Sequence, residues 1–261
     1  MKKLIKNTPF IGSFLKKAMG KKKYPYVFER IPAEQKQDNK QEETKLSNLL
    51  NYTKISGSSY SGKKFPAGYH TLEINGNIFK GQRYPKQRLS QINFDFRNKS
   101  VLDIGCNQGG MLFELSDRIK WGVGIDYDYR MINVSNRLKR FKNADNLDFY
   151  CFDLEKDDLE IIKDFFPENK VDIIFLFAVC KWIKSWKDVI KKSADMSDVM
   201  FFESNGNHEQ QKKQEMELRK VFSNVEKLSD FSQDTHSLKD RKLYYCCKYN
   251  IFLYLIVKKS I

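Results

Sequence analysis

The sequence contains few cysteines, and none of them stands in a pattern that binds metal or builds a disulfide framework. The five are Cys106, Cys151, Cys180, Cys246 and Cys247, without a CxxC pair or a Cys/His cluster. This usage argues against a disulfide-stabilised scaffold and against a structural zinc site. We therefore predict no metal.

Long apolar runs are also missing. The longest uninterrupted one, Ile173–Cys180, is far shorter than the roughly 18–20 residues that a membrane-spanning helix needs. The N-terminus lacks the long apolar segment and the small-residue cleavage site of a secretory signal. We therefore expect no membrane span and a cytoplasmic protein.

Acidic residues are absent from the first 23 positions, which carry eight lysines. The net charge of the chain is +14, so the other 238 residues hold only +6. After Pro9, apolar residues recur with helical spacing up to Gly20 and predict a short basic amphipathic helix. Such a helix suits the surface of an anionic membrane, here the inner face, and the alternative is a helix packed on the domain with its lysines in solvent.

Residues 24–98 form the predicted linker and cap between this helix and the main domain. Residues 31–48 are polar and almost free of aromatic residues, as in a linker or an exposed helix. The dipeptide Asn75-Gly76 stands between short apolar segments and predicts a β-hairpin turn. We expect this region to form a small cap or lid.

From residue 99 onward, apolar runs of strand length alternate with helical stretches. This alternation predicts βαβ units and a parallel sheet covered by helices on both faces. Two later runs, 225–231 and 242–248, predict an antiparallel edge. The predicted fold is α/β, a Rossmann-like, doubly wound, mostly parallel seven-stranded sheet over residues 99–250, with residues 251–261 as a C-terminal extension.

The first predicted strand ends in a glycine-containing turn that is typical of nucleotide sites. The pattern D-x-G-x-x-x-G begins at Asp103 and includes Gly105, where glycine lets the backbone pass close to a ligand. Asp126 ends the second strand, 21 residues after Gly105, where a carboxylate can accept hydrogen bonds from ribose hydroxyls. Phe152 and Asp153 end the third strand, in position to flank an adenine.

Four segments resemble, in order and spacing, the strand-end motifs of class I S-adenosylmethionine-dependent methyltransferases: VLDIGCNQGG, GVGIDYD, YCFDLE and VDIIFLFAVCKW. The resemblance covers roughly residues 99–250 and implies S-adenosylmethionine as the cofactor. It implies that Asp103, Gly105 and Gly109 border the amino-acid part of the cofactor. Asp126 would hold the ribose and Asp153 the adenine amino group. The alternative is a Rossmann-like domain that binds another ligand.

The candidate acceptor site consists of polar residues in the cap and after the fourth and fifth strands. Arg83, in a GQR tripeptide, suits a cofactor carboxylate or an acceptor phosphate, and its alternative is a surface salt bridge. Lys181, Glu203 and His208 are expected to converge near the transferred methyl group. We predict His208 as the base for an acceptor hydroxyl, and its simpler interpretation is a histidine that only begins a helix. For Lys181 the simpler interpretation is a solvated loop lysine. Trp182 is interpreted as a packing residue in preference to a substrate platform.

Two further resemblances bear on the acceptor. The GQR element, the tryptophan after the fourth strand and FESNGNH after the fifth resemble a bacterial methyltransferase group associated with surface-polysaccharide biosynthesis. The GCNQG and KW…W patterns are similar to RNA methylphosphate-capping enzymes. Our first hypothesis is therefore an O-methyltransferase for a glycan, sugar phosphate or lipid-linked saccharide at the cytoplasmic membrane face.

Two alternatives remain at this point. One is a methyltransferase that acts on RNA or an RNA 5′-phosphate, and the other is a cofactor-binding interaction protein without turnover. The concentration of lysines in the first 23 residues favours the first hypothesis over an RNA enzyme, because RNA enzymes usually carry their basic surface on the domain itself.

Overall fold

The computed structural model describes residues 39–54, 65–231 and 240–249. The predictions for the basic helix at 1–23 and the extension at 251–261 lie outside these residues. The α-helices are α1 (Asn39–Thr53), α2 (Pro85–Leu89), α3 (Gly110–Leu115), α4 (Tyr129–Phe141), α5 (Trp186–Met196) and α6 (His208–Val221). The strands are β1 (Leu72–Ile74), β2 (Asn77–Phe79), β3 (Ser100–Ile104), β4 (Trp121–Asp126), β5 (Leu147–Cys151), β6 (Ile173–Phe177), β7 (Val199–Glu203), β8 (Asn224–Ser229) and β9 (Leu243–Cys247). Two short 3₁₀ helices span Leu159–Phe165 and Cys180–Trp182.

The main sheet has seven strands in the order β5-β4-β3-β6-β7-β9-β8. The first five of these are mutually parallel, and β9 pairs antiparallel with both β7 and β8. The predicted mostly parallel seven-stranded sheet with an antiparallel edge is therefore confirmed.

The chain enters this sheet in its middle, at β3. It then builds β4 and β5 on one side before it crosses to β6 and β7 on the other. In open sheets of this kind, the connections after the two central strands diverge and leave a crevice at their carboxyl ends, where ligands bind. A ligand site is therefore expected at the segments that follow β3 and β6.

Both faces of the central strands are covered, because every residue of β3 and β6 is buried. Alternate residues of β6 point to opposite faces, so Phe175 belongs to one apolar core and Ile174 to the other. On the first face, the rings of Phe96 and Phe201 both pack on Phe175, with centroids 5.8 and 5.9 Å apart. This double burial explains why these strands read as continuous apolar runs.

The cap region contains a helix and a hairpin. The hairpin turn falls at Asn75 and Gly76, both with positive φ, and joins β1 to β2, so the predicted hairpin is confirmed. Helix α1 overlaps the polar stretch 31–48 that suggested a linker or an exposed helix, but its Leu46 and Leu50 are buried. These two leucines, one helical turn apart, and the partly buried Leu49 attach this otherwise polar helix to the core.

The alternating pattern predicts helical stretches at 111–119 and 159–166, and the structure differs from the prediction at both. The stretch at 111–119 is α-helical only to Leu115, because the chain must turn back to reach the start of β4. The stretch at 159–166 is a 3₁₀ helix that ends at Phe165. Pro167 follows two residues later, and the residue before a proline is restricted to extended backbone. Within the described residues, no helix has the length and apolar character that crossing a bilayer requires.

Candidate active site

The loop after β3 carries the predicted glycine pattern, and its backbone adopts the conformation that favours glycine. Gly105 has a φ of +77° and Gly109 a φ of +74°, both in the left-handed region. A Cβ atom at Gly105 would lie 2.6 Å from Cγ2 of Val179, two residues after β6. The absence of a side chain therefore lets this loop lie against the end of β6, in the crevice between the two central strands.

Asp103 has an acceptor that the described residues leave unsatisfied. Its side chain is 3% exposed, and its Oδ2 has no hydrogen-bond partner. The net pKa of Asp103 is raised to about 7. Burial is the main cause, the positive charge of Arg88 partly offsets it, and the negative charge of Asp126 adds to it. Since a buried acceptor without a donor is unfavourable, this carboxylate fits a ligand that brings a donor, such as the amino group of S-adenosylmethionine.

Asp126 ends β4 and holds the glycine loop in place. Its Oδ2 accepts a hydrogen bond from the Asn107 N–H and its Oδ1 one from the Asp128 N–H, each at 2.9 Å. Burial raises the pKa of Asp126 to about 6, although these backbone hydrogen bonds favour the charged form. Because each carboxylate oxygen has two acceptor positions, Asp126 keeps the capacity to accept hydroxyl donors of a ribose.

Phe152 and Asp153, the pair predicted to flank the adenine, lie in different environments. Phe152 is buried in the second core, with its ring edge-on to Phe165 at 6.2 Å. Asp153 lies in the turn after β5, where its Oδ1 accepts from the Glu155 N–H at 3.1 Å and its Oδ2 pairs with Lys156. Phe152 is thus a core residue, and Asp153 is part of a polar turn at the end of β5.

A cleft of about 650 Å³ opens beside Ala178, at the carboxyl end of β6, and Gly206, after β7. The three predicted catalytic residues, Arg83, Lys181 and His208, all line it. Among the described residues, its wall also includes Tyr69, Gln82, Ala178, Trp182, Gly206, Asn207, Gln211, Asp230, Asp240, Arg241 and Lys242. Since Ala178 lines the cleft and Val179 lies against Gly105, the cleft adjoins the glycine loop.

Lys181 and Trp182 stand on the 3₁₀ turn that follows β6. The Lys181 N–H donates to Asn205 Oδ1 at 2.9 Å, which anchors this turn to the loop after β7. The Lys181 Nζ lies 5.1 Å from the Trp182 ring centroid. Trp182 is 58% exposed, so packing accounts for only part of its surface.

His208 is the first residue of α6 and lies exposed at the mouth of the cleft. The helix begins here because Asn207 and Gln210 form a capping box. The Gln210 N–H donates to Asn207 Oδ1, and the Asn207 N–H donates to Gln210 Oε1, each at 2.9 Å. The backbone thus fixes the position of His208, while solvent surrounds its ring.

Arg83 is buried, which corrects the surface salt-bridge interpretation. It belongs to a cluster in which Glu203, 2% exposed, forms ion pairs with three guanidinium groups. The Glu203 carboxylate is 3.7 Å from Arg83, 3.4 Å from Arg241 and in direct contact with Arg88. Glu203 therefore lies beneath the cleft as a counter-ion, and is not among the residues that line it.

Sequence reasoning missed Arg88, Tyr69 and Gln108. Arg88 lies on α2, with its guanidinium carbon 4.5 Å from the Phe177 ring centroid, and burial lowers its pKa to about 9. The only sequence signal was its place five residues after Arg83 in the same basic segment. Tyr69 carried no signal, because nothing in its neighbours marks it as part of a cleft.

Gln108 connects the glycine loop to the cap. Its Nε2 donates to Thr53 Oγ1 and to the Ala67 carbonyl, each at 2.8 Å, and its Oε1 accepts from the His70 N–H at 3.2 Å. This side chain is completely buried. The cap thus depends on the same loop that contains the predicted cofactor residues.

Comparisons with solved structures agree with this architecture. The N-terminal domain of EvdMO1, solved with SAH bound, superposes with a TM-score of 0.59 at 11% identity over 81% of this chain and 97% of that one. WbdD superposes with a TM-score of 0.56 at 19% identity over 77% of this chain and 47% of its own. At these identities the likeness shows the fold.

Sequence comparisons address the family. A putative methyltransferase, 235L, of Invertebrate iridescent virus 6 is 31% identical over 88 residues, which is 33% of this chain and only 28% of the viral protein. The profile of a family described as "Methyltransferase domain" matches residues 80–238, more than half of the chain. The match includes the GQR element, the glycine loop and the whole cleft except Tyr69 and the residues after 238. The chain therefore belongs to the methyltransferase-domain family, which confirms the prediction of a class I S-adenosylmethionine-dependent methyltransferase.

Proposed function

We propose that this protein transfers a methyl group from S-adenosylmethionine to an oxygen atom of a glycan, a sugar phosphate or a lipid-linked saccharide. The main observation that supports this proposal is the cleft. Its volume of about 650 Å³ lies within the roughly 300–1,000 Å³ of small-molecule sites. Its wall contains side-chain amides and charged groups that can bind hydroxyls, and the exposed part of the Trp182 side chain offers an apolar surface to a sugar ring.

S-adenosylmethionine, when bound, supplies an electrophilic methyl group on a positively charged sulfur. We assign its amino-acid part to Asp103 and the loop that contains Gly105 and Gly109. The unsatisfied Oδ2 of Asp103 supports this assignment. Asp126 is assigned to the ribose and Asp153 to the adenine amino group, with Phe152 packed beneath them.

Methyl transfer needs the acceptor oxygen in line with the methyl group and water excluded, so alignment is the main task of the cleft. We assign Arg83 and Lys181 to binding of the acceptor, because guanidinium and ammonium groups bind phosphate or hydroxyl oxygens strongly. His208 is the sequence-based proposal for the base that removes a hydroxyl proton. Its place at the cleft mouth also suits contact with the part of the acceptor that extends into solvent.

A saccharide acceptor is favoured over RNA by the shape and chemistry of this site. Recognition of single-stranded RNA uses several aromatic platforms for successive bases, whereas among the described residues that line the cleft Trp182 is the only exposed large aromatic side chain. EvdMO1, which has the same fold, was crystallised in the presence of SAH and D-fucose. We further propose that the basic segment at 1–23 brings the protein to the inner face of the cytoplasmic membrane.

The experiment combines binding with a labelled-methyl transfer assay. Calorimetry with S-adenosylmethionine and its demethylated product tests the cofactor, and heat from NAD in their place would refute the assignment. Transfer of radiolabelled methyl groups is then measured on oligosaccharides, sugar phosphates, lipid-linked saccharides and RNA. Label in a saccharide fraction is the expected result. Label in RNA alone would establish the alternative enzyme, and tight binding without transfer to any acceptor would indicate a non-catalytic protein.

A further inference from the structure

The turn after β6 contacts both the glycine loop and the acceptor cleft. It runs from Ala178 to Trp182, and these two residues and Lys181 line the cleft. Val179 lies against Gly105 of the glycine loop, and its carbonyl accepts a hydrogen bond from the Trp182 N–H at 2.8 Å. The conformation of this turn therefore sets the position of the residues assigned to the acceptor relative to the loop assigned to the cofactor.

Ala178 begins the turn in a backbone conformation that alanine rarely adopts. Its φ is +59°, in the left-handed region, where the Cβ atom of an L-residue approaches the following carbonyl oxygen. In the described part of the chain, six non-glycine residues have positive φ, and the other five are all asparagines. Asparagine tolerates this region because its short polar side chain can form local hydrogen bonds. Ala178 has no such side chain, so its surroundings must hold it there.

Asn205, two residues after β7, forms hydrogen bonds to both ends of the strained segment. Its Oδ1 accepts from the Lys181 N–H at 2.9 Å, and its Nδ2 donates to the Ala178 carbonyl. An asparagine amide carries the required donor and acceptor on one planar group, whereas an ionised aspartate only accepts. Asn205 is 1% exposed, so water does not compete for these hydrogen bonds.

Asn205 is itself fixed by Gln214 of α6. The Asn205 N–H donates to Gln214 Oε1 at 3.1 Å, and Gln214 Nε2 donates to the Asn205 carbonyl at 2.9 Å. Gln214 is also buried. The Ala178 N–H in addition donates to the Glu203 carbonyl at 2.9 Å, so the backbone of Ala178 is held at its N–H and at its carbonyl. Buried hydrogen-bond networks of this kind are rigid when their members are satisfied.

We propose that Asn205 is a positioning residue of the methyl transfer, which keeps Ala178 in the left-handed conformation and thereby aligns the acceptor with the cofactor. This proposal rests on the proposed function. Asn205 is not one of the described residues that line the cleft, so it acts through the turn and not on the reacting atoms. When its two hydrogen bonds are lost, Ala178 relaxes toward an ordinary backbone conformation, and Lys181 and Trp182 are displaced from the cleft wall.

Fluorine NMR of the full-length protein, labelled with fluorotryptophan and free of ligand, tests the turn directly. The chain has three tryptophans, of which Trp182 lies on the turn and Trp121 begins β4. The variant Trp182→Phe assigns the signal of Trp182. Asn205→Asp keeps the size of the side chain but loses its donor, so the Trp182 signal should shift or broaden while that of Trp121 stays unchanged. The matched control is Asn143→Asp, the same change at an exposed turn before β5, which should alter neither signal.

Activity distinguishes positioning from a role in stability. With an acceptor in hand, Asn205→Asp should lower kcat by about 10²-fold, the effect of a misplacement on the order of 1 Å. The affinity for the demethylated cofactor should be unchanged in calorimetry, because Asp126 and Gln108 hold the glycine loop independently. Ala178→Gly, added to Asn205→Asp, should recover part of the lost kcat, because glycine enters the left-handed region without strain.

Asn205→Ser keeps the test valid if the buried charge of Asn205→Asp prevents folding, because serine is too short to span the turn and adds no charge. The proposal is overturned if the Trp182 signal or kcat is unchanged in a folded Asn205 variant, or if Ala178→Gly recovers nothing. Equal changes in the Trp121 and Trp182 signals, or failure of both Asn205 variants to fold, would also overturn it, because either result indicates a general role in stability. Failure of the calorimetric titration of the wild type would instead refute the proposed function, since the fluorine spectra report on the turn without any ligand.

Discussion

Removal of the charge on Glu203 is the most direct test of the cluster beneath the cleft. In Glu203→Gln the side chain keeps its shape, but the negative charge that faces Arg83, Arg88 and Arg241 is lost. The amide Nε2 also places a donor where the guanidinium groups need an acceptor. Since Glu203 is 2% exposed, water cannot replace the missing charge.

Loss of one partner of a buried ion pair costs about 3–5 kcal/mol, because the remaining charge stays buried without compensation. We therefore expect the free energy of unfolding of Glu203→Gln to fall by that amount. For a protein of this size, about 1 kcal/mol corresponds to roughly 2–4 °C in Tm, so thermal unfolding should move down by about 6–20 °C.

Urea denaturation followed by circular dichroism measures this change. The matched control is Glu226→Gln, an exposed carboxylate on β8, which should change stability by no more than about 0.5 kcal/mol. The loss at Glu203 should persist at high salt, because buried pairs are weakly screened. A double variant, Glu203→Gln with Arg88→Met, should recover part of the loss, since it removes one uncompensated charge.

An equal loss of stability in Glu203→Gln and Glu226→Gln, or a difference between them that salt abolishes, would contradict a buried ion-pair cluster. Either result would mean that solvent reaches the cluster and hydrates the guanidinium groups.

Four further predictions concern the cofactor site, the cap and the N-terminal segment. Asp126→Ala should weaken binding of the demethylated cofactor by about 1–3 kcal/mol in calorimetry, and unchanged affinity would exclude Asp126 from the site. Because the pKa of Asp103 is raised to about 7 from 3.8, its contribution to stability is complete below about pH 4 and is lost as the pH rises to about 7. Asp103→Asn should thus be more stable than wild type in denaturation above about pH 7 but not near pH 4, and an equal difference at both pH values would refute this. Gln108→Ala leaves the buried His70 N–H and Ala67 carbonyl without these partners and removes one of the hydrogen bonds of Thr53 Oγ1, so it should lose about 2–4 kcal/mol of unfolding free energy, against no significant loss for the exposed Gln87→Ala. Deletion of residues 1–23 should preserve cofactor binding and abolish sedimentation with anionic vesicles, an attraction that salt weakens; equal sedimentation of both forms would contradict the membrane proposal.

Much of the fold was predictable because it depends on residues that are close together in the sequence. Apolar runs of strand length identified the strands, since β3 and β6 are buried on both faces. Asn75-Gly76 identified the hairpin because both residues tolerate positive φ. Gly105 and Gly109 likewise marked a turn that other residues enter only with strain. Each of these signals reflects local backbone preference or the periodicity of burial.

The composition of the cleft depended on tertiary contacts. Glu203 meets Arg83, Arg88 and Arg241, which lie 120, 115 and 38 positions away along the chain. No local pattern shows that these charges converge, so Glu203 was expected in the cleft and is instead the counter-ion beneath it. Arg83 was open to interpretation as a surface residue for the same reason.

The exposure of single side chains also depended on tertiary contacts. Trp182 would fit a core in composition, but the turn after β6 directs it into solvent at the mouth of the cleft. Tyr69 is an ordinary tyrosine in sequence, and it joins the wall of the cleft only when the cap folds onto the sheet. Local sequence determines which backbone a segment adopts, whereas charge, exposure and reactivity depend on what other segments bring within a few ångströms.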